Sequence, residues 1–478
     1  MRIAPLLAAA AAGACLAVAT VAAAAGTPPS APGAPPGGSP WSAPATLSAC
    51  AAAGAPHVVF PSEGPSEATG PGAIVWSAQP GCRGGTGARV AELGAGELPT
   101  APTVPRTPAG QAVAPRGALL ATGAPHAQIV IAGASPHASA GTLAIQGVPG
   151  GAFSPLQVPG GATAPAALAT AYLGDVAFAA APGGAGSAEG VAGAGGTGAI
   201  DLHVERHYER RFGGNASVRA RGGGAVRGLT LALDYRSEAL AVWAQRGELY
   251  ARLLPGRGPA HPIQRLAPVW GAPTTTAVLS DNGHAIVAWS ERHGGHTSVY
   301  IDRSAGGVRF GASAQLLERF RDPPGPPAPG SSPSLVRLSS EGVVLAWAGA
   351  AAGRWVVRVA PVQESGVLSV QTIGAGAQDA RLAAFAPGPD DDALLLWTEY
   401  QPGAGGAPGT TPRSLFAARA SALLPGGLAF DEAEQVAPPG AVEGASVAFD
   451  PANDRAVAAW RGTAGAIEYS IRSVGLAR

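Results

Sequence analysis

Lysine is missing from this 478-residue chain, so its 31 Lys-plus-Arg residues are all arginines. The absence excludes a Gly-Lys-Ser/Thr phosphate-binding loop and a Ser–Lys catalytic pair, because both need an amine. The arginines are balanced by 31 acidic residues, which leaves a formal net charge of zero. Such a chain has no overall positive field to attract nucleic acid or an anionic membrane, so we expect neither as a partner.

Charged residues amount to only 13% of the chain, whereas there are 70 glycines and 46 prolines. Average usage is roughly 7% glycine and 5% proline, so both are about doubled. Glycine and proline interrupt long helices and are frequent in turns. The composition therefore favours many short strands joined by turns.

The first 25 residues have the pattern of a secretory signal peptide. One arginine precedes an apolar stretch that ends in small residues near Ala25. An uncleaved membrane anchor is the alternative, because the apolar run is long enough to span a bilayer. No second span is present. We expect a secreted or cell-surface protein with a Pro/Ala/Gly-rich linker at residues 26–36.

Cysteine is rare, and only Cys50 and Cys82 remain once the signal segment is removed. In an oxidising compartment, two cysteines most simply form one disulfide. Two buried free thiols are the alternative. Neither a cofactor nor a metal ion is expected.

A repeat runs through the chain. Short apolar runs end at Trp76, Trp243, Trp289, Trp347, Trp397 and Trp460. Two similar runs without tryptophan, at residues 128–133 and 175–180, fill the gap after the first. Each run has the pattern of a strand buried on both faces, and turn signals such as Asn282-Gly283 predict a hairpin before it.

Two further signatures follow each of these hairpins. The first is an aromatic residue, two others and an arginine, as in Tyr300 to Arg303 and Phe416 to Arg419; packing of the ring and a solvated arginine are expected. The second is Gly-Gly followed by an aromatic and then an aliphatic residue. They predict a third and a fourth strand, so that each unit contains antiparallel strands A, B, C and D.

Four antiparallel strands in a repeated unit of roughly fifty residues are typical of a β-propeller. The predicted B strands give eight blades, with seven as the alternative, in a domain over residues 37–478. These units resemble those of secreted bacterial β-propellers of the sialidase-like, BNR-repeat type. The Asp-box pattern and the Phe-Arg-Ile-Pro motif of that family are absent, so its catalytic residues are not carried over to this chain.

The segment GGSPWSAPATL, residues 37–47, matches the start of strand D in other units, GGVRFGASAQL and GGLAFDEAEQV. The last unit ends soon after its strand C and has no strand D of its own. We therefore predict that the N-terminal segment completes the last blade beside residues 466–472 and closes the ring. Cys50 and Cys82 then lie on connections at the same face, where a disulfide would fasten the segment.

In this topology the D–A and B–C connections share one face, here called the loop face, and carry most of the length variation. A ligand site is expected there. The candidate residues are Glu291, Arg292, His293, His296, Glu399, Tyr400, Arg321 and Asp322. Of these, Arg321 and Asp322 belong to a polar D–A loop predicted over residues 318–324. For the histidines, a solvated loop is the expected reading, and metal binding the weaker alternative.

Two function classes follow. The first is a non-catalytic binding or scaffold module with an extracellular protein or glycan as partner. The alternative is a sialidase-like carbohydrate-active enzyme, in which Glu291 and Glu399 act as paired carboxylates and a tyrosine such as Tyr400 as nucleophile. Only two of the units have a glutamate two residues after the strand-B tryptophan, which favours the binding module.

Overall fold

The computed structural model describes residues 40–473. Its gaps are 65–66, 69, 83–84, 96–97, 125, 136–141, 157–164, 171–175, 181–198, 206–211, 220–225, 237, 256–258, 305–308, 312–313, 324–332, 339–341, 364–365, 375–378, 389–390, 401–412 and 425–426. The predicted signal peptide and linker lie outside the described residues.

The described chain is built almost entirely of antiparallel strands, which confirms the all-β prediction. The larger sheets are numbered I to VIII in chain order. Sheet II contains Arg116–Ala124, Gln128–Ala134, Thr142–Gly147 and Phe153–Leu156. Sheet III contains Pro165–Thr170, Val176–Ala180, Ala199–Glu205 and Phe212–Arg219. Sheet IV contains Arg227–Leu233, Ala239–Gln245, Glu248–Leu254 and Gln264–Pro268. Sheet V contains Thr274–Leu279, Ala285–His293, His296–Arg303 and Gln315–Arg321.

The remaining sheets depart slightly from this plan. Sheet I has three strands, His57–Val59, Gly72–Ala78 and Gly87–Leu93. A small hairpin joins Ser62–Gly64 to Glu67–Ala68. In sheets VI and VII the outer strand is divided into two pieces. Sheet VI contains Ser334–Arg337, Val343–Ala351, Arg354–Gln363, Gly366–Val367 and Gln371–Ile373. Sheet VII contains Ala380–Pro387, Ala393–Tyr400, Arg413–Leu424, Gly427–Phe430 and Glu434–Gly440.

The second strands of sheets I and IV are buried along their whole length. All seven residues of Gly72–Ala78 and of Ala239–Gln245 are buried, as expected for strands covered on both faces. The six repeated tryptophans are all fully buried. The runs without tryptophan also form second strands, in sheets II and III. These findings confirm the predicted B strands.

In sheets V and VII the predicted aromatic of strand C packs on the tryptophan of strand B. Tyr300 stacks on Trp289 with ring centroids 5.3 Å apart, and Phe416 stacks on Trp397 at 5.9 Å. The expectation of a solvated arginine three residues later is wrong at Arg419. Its side chain is 17% exposed and forms an ion pair with Asp392, because the neighbouring A–B turn brings a carboxylate within reach.

Hydrophobic clusters fill the spaces between neighbouring sheets. They join sheets I and II, II and III, III and IV, IV and V, V and VI, VI and VII, and VII and VIII. A further cluster joins sheet VIII to sheet I, where Val457 and Tyr469 pack with Ile74 and Trp76. Burial of apolar side chains between sheets therefore links the last sheet to the first.

Sheet VIII combines the two ends of the described chain. It contains Glu443–Asp450, Arg455–Arg461 and Ile467–Ser473, and its outer strand is Ala45–Ser48. Ala45 lies opposite Tyr469, and Trp41 forms a β-bridge with Arg472. The pairing confirms that the segment around residues 37–47 supplies a strand to the last sheet.

One carboxylate links the N-terminal segment, strand Ile467–Ser473 and sheet VII. Glu434 accepts a hydrogen bond from the Trp41 indole at 3.0 Å and one from the Arg472 guanidinium at 2.6 Å. The Cys50–Cys82 disulfide, with Cα atoms 5.7 Å apart, ties the end of the added strand to sheet I. The predicted disulfide is thus confirmed.

Candidate functional site

The B–C hairpin of sheet V carries most of the candidate residues. Strand Ala285–His293 turns at Gly294-Gly295 into strand His296–Arg303. Both glycines have positive φ, +59° and +74°, which side chains with a Cβ rarely adopt. The turn therefore holds Glu291, Arg292 and His293 on one side and His296 on the other, at the loop face.

An exposed tryptophan lies beside this hairpin. Trp270, in the connection between sheets IV and V, is 60% exposed, whereas the tryptophans of the second strands are fully buried. Its ring stacks on that of His293 with centroids 4.5 Å apart and an interplanar angle of 25°. Its backbone N–H donates to the Glu291 carboxylate at 2.8 Å. Two residues of the hairpin thus set the position and the plane of an exposed aromatic ring.

Sequence reasoning missed Trp270. The apolar run before it, Leu266 to Val269, contains a proline, and Trp270 lies between Trp243 and Trp289 rather than about fifty residues from each, so it fell outside the repeated pattern used to find strands. The available signal was its position: a tryptophan followed directly by Gly271 in a D–A connection, on the face where a site was expected. A tryptophan placed off the buried pattern is a candidate for the surface.

Glu291 has an unusual partner for its place in the repeat. In sheet VII the matching Glu399 accepts a hydrogen bond from the indole of its own strand tryptophan, Trp397, at 2.8 Å. In sheet V the carboxylate of Glu291 instead holds Trp270, and the buried Trp289 Nε1 has no hydrogen-bond partner. An unsatisfied buried donor costs free energy. The indoles of Trp76 and Trp243 also lack a hydrogen-bond partner, so what distinguishes Glu291 is its hydrogen bond to the backbone of Trp270.

Asp322 organises the other side of the hairpin. Its side chain is 5% exposed and forms an ion pair with Arg292, which is 45% exposed. Thr297 Oγ1 donates to the same carboxylate at 2.6 Å, and the Asp322 backbone N–H donates to the Gly295 carbonyl at 2.9 Å. These bonds fix the Arg292 guanidinium at the end of the hairpin, and Arg292 and His293, as neighbours in one strand, belong to opposite faces of it.

The polar loop predicted over residues 318–324 is wrong in part. Residues 318–321 belong to strand Gln315–Arg321, and the connection begins only at Asp322. The outer strand is longer than expected because Phe320, near its end, is buried against sheet VI. Arg321 is exposed and lies opposite His296 in the ladder. The structure therefore brings Arg321 to the same hairpin.

Glu399 and Tyr400 lie elsewhere, in sheet VII, with sheet VI between them and the hairpin of sheet V. Glu399 is only 9% exposed, and burial raises the pKa of its carboxyl group. Tyr400 ends the same strand, opposite Arg413. The structure does not bring this pair to the Trp270 surface.

Two absences concern only the part of the chain that the structure describes. No group of three or more His, Cys, Asp or Glu side chains there could hold a metal ion. No helix among those residues is long and apolar enough to cross a membrane.

Solved structures with a similar arrangement share little sequence with this chain. A prolyl endopeptidase is 14% identical, with a TM-score of 0.43, and the match covers 86% of this chain and 55% of the endopeptidase. An ulvan lyase of polysaccharide lyase family PL25 is 11% identical, with a TM-score of 0.42, over 88% of this chain and 95% of the lyase. A subtype N11 neuraminidase-like protein from flat-faced bat is 9% identical, with a TM-score of 0.32, over 65% and 87%. No protein-family model and no curated protein matches the chain.

Proposed function

We propose that this chain is an extracellular, non-catalytic binding module: an eight-bladed β-propeller closed by its N-terminal strand, with its ligand on the loop face. We further propose that the ligand is a glycan that stacks on Trp270. The observation that carries the binding site is the exposed Trp270 ring held against His293.

The ring is supported by the order of the sheet contacts. The first strands of successive sheets contact one another along the chain, and the series returns when Glu443–Asp450 of sheet VIII contacts His57–Val59 of sheet I. The hydrophobic clusters follow the same order, including the one between sheets VIII and I. A ring of this kind leaves only short sheet edges exposed, which suits a protein of many small sheets.

An extracellular location is supported by the signal-like N-terminus and by the Cys50–Cys82 disulfide. Disulfides persist in oxidising compartments and are rare in the reducing cytosol. The Pro/Ala/Gly-rich residues 26–36 are proposed to serve as a spacer before the propeller.

The chemistry around Trp270 suits a sugar. A flat aromatic face receives the apolar C–H face of a pyranose ring, while planar charged groups at its edge bind hydroxyl groups. Here His293 stacks on the ring, Glu291 accepts the Trp270 backbone N–H, and the Arg292–Asp322 ion pair lies on the same hairpin. Because the ring plane and the ion pair are held by internal hydrogen bonds, little side-chain freedom is lost on binding.

A defined-oligosaccharide array tests this proposal with the full chain and its Trp270→Ala variant. Loss of the stacking contact, worth on the order of 1.5 kcal/mol, should weaken binding by about tenfold, and Trp270→Phe should retain part of it. Val370→Ala, a change at another exposed apolar side chain (50% exposed), is the matched control and should bind like the unaltered protein.

Two results would contradict the proposal. Equal oligosaccharide binding by the unaltered chain and Trp270→Ala would place the ligand elsewhere. Turnover of chromogenic glycosides by the unaltered protein would replace the binding role by the enzyme alternative.

A further inference from the structure

Arg381 is a buried arginine whose ion-pair partner lies too far away for a direct hydrogen bond. It belongs to the first strand of sheet VII, and its side chain is only 7% exposed. Its amino group lies 3.7 Å from the Asp379 carboxylate, which is longer than a hydrogen bond. The other oxygen of Asp379 accepts the backbone N–H of Trp355 at 3.1 Å. The buried Nε–H of Arg381 has no hydrogen-bond partner.

Other buried arginines form direct hydrogen bonds, and Arg89 does so with backbone carbonyls alone. Arg455, also 7% exposed, donates from Nε to Asp450 at 2.8 Å. Arg419 donates from Nε to Asp392 at 3.0 Å. A buried guanidinium is costly unless an anion accepts its hydrogen bonds directly. At Arg381 the described residues supply the Asp379 carboxylate at 3.7 Å but no acceptor for Nε–H.

A second arginine lies on the same face of sheet VII. Arg381 is opposite Thr398 and Arg413 is opposite Tyr400, two residues further along the same central strand. Side chains two residues apart in a strand point to the same face, so the two guanidinium groups extend from one side of the sheet. Burial, together with the nearby charge of Arg413, lowers the pKa of Arg381 to about 10.

We propose that Arg381 and Arg413 form a binding site for a small oxyanion such as sulfate, at the loop-face end of sheet VII. The Nε–H and amino groups of a guanidinium donate two parallel hydrogen bonds to one oxyanion, which is the geometry arginine binds best. The anion would accept the Nε–H of Arg381, which has no acceptor among the described residues. The site is independent of the Trp270 surface, which lies on sheet V and its neighbouring connection.

The test is thermal unfolding of the full chain in sodium sulfate against sodium chloride at equal ionic strength. Sulfate stabilises most proteins in proportion to its concentration, whereas a bound anion adds a rise that saturates. We expect the saturating rise in the unaltered chain and its loss in Arg381→Gln. Arg265→Gln, the same change at an arginine that is 61% exposed, should keep it.

Identical sulfate responses in the unaltered chain and in Arg381→Gln would overturn the proposal. If Arg381→Gln does not fold, Arg413→Gln and Arg381→Lys take its place, and a full saturating rise in both would overturn it equally. Titration calorimetry with sodium sulfate and with sodium acetate separates a tetrahedral oxyanion from a carboxylate. Heat from neither anion would also refute the site.

Discussion

At the scale of single residues, two buried carboxyl groups stand out for their environment. Asp234 and Asp302 are 1% and 4% exposed, and burial raises the pKa of each to about 6. In Asp302 one oxygen accepts the backbone N–H of Arg303, and the other has no hydrogen-bond partner. Burial without full pairing disfavours the charged form of the group.

This environment predicts that stability falls as pH rises. Because the pKa of Asp302 is higher in the folded chain than in the unfolded one, its contribution is complete below about pH 4 and is lost as pH rises through about 6. As the pH rises, the free energy of unfolding of Asp302→Asn should therefore fall by on the order of 2 kcal/mol less than that of the unaltered chain. Urea unfolding at pH 4.5 and pH 7 measures the difference.

The exposed Asp431 supplies the control, since Asp431→Asn should leave the pH dependence unchanged. An equal fall in stability between the two pH values in Asp302→Asn and in the unaltered chain would show that the Asp302 carboxyl group is not the cause.

Glu291 and Glu399 show where sequence reasoning stops at this scale. Each lies two residues after a strand-B tryptophan, so the sequence treats them alike. Their partners differ because Trp270 of a neighbouring connection reaches Glu291, whereas Glu399 bonds its own Trp397. The partner of Glu291 is therefore set by the connection that contains Trp270, which does not follow the repeat.

At the scale of elements, the outer strands of sheets VII and VIII were predicted from the sequence, but their division into two pairing segments was not. An aromatic residue pairs first, near the C-terminal end of strand C. After a few residues a second segment pairs nearer the N-terminal end of that strand. Phe430 lies opposite Ala420 before Gln435 meets Phe416, and Trp41 bridges Arg472 before Ala45 meets Tyr469. The Gly-Gly-aromatic pattern identified these strands because it records both a turn and a buried ring.

Sheet VI is the element that the pattern described least well. Trp347 lies opposite Arg358, whereas in sheet V Trp289 lies opposite Tyr300. Trp355 therefore does not stack on its own strand tryptophan but meets Phe320 of sheet V edge-on at 5.7 Å. An aromatic residue three positions earlier in a longer hairpin changes its neighbour, and a motif spacing alone does not show this.

The stability of the added outer strand should depend on the Glu434 carboxylate of sheet VII. Glu434→Ala removes the hydrogen bonds from Trp41 and Arg472 together, and Trp41 is nearly fully buried. Charged hydrogen bonds of this kind contribute roughly 1.5–3 kcal/mol each. We expect a loss of about 3 kcal/mol in the free energy of unfolding, measured by urea denaturation.

Glu432→Ala, at an exposed position two residues earlier, is the control and should change stability little. Similar stability of Glu434→Ala and Glu432→Ala would mean that the link between Trp41 and Arg472 does not hold the strand.

At the scale of the whole molecule, the proposed ring depends on pairing between the N-terminal segment and the last strand of sheet VIII. Sheet VIII takes its outer strand from Ala45–Ser48, and the following disulfide ties that strand to sheet I. A loop of this length contributes about 3.5 kcal/mol by restricting the unfolded chain. The added strand could be predicted because the last unit lacks a fourth strand and residues 37–47 resemble one. The disulfide could be predicted because only two cysteines remain after the signal segment.

The most direct test is thermal unfolding of a chain that lacks residues 27–48, compared with the full-length protein under identical conditions. This deletion removes Trp41 and the strand that covers Ile467–Ser473, and it leaves the signal segment and both cysteines in place. The account predicts a melting temperature lower by roughly 10 °C or more, or a chain that does not fold. A melting temperature equal to that of the full-length protein would contradict closure by the N-terminal strand.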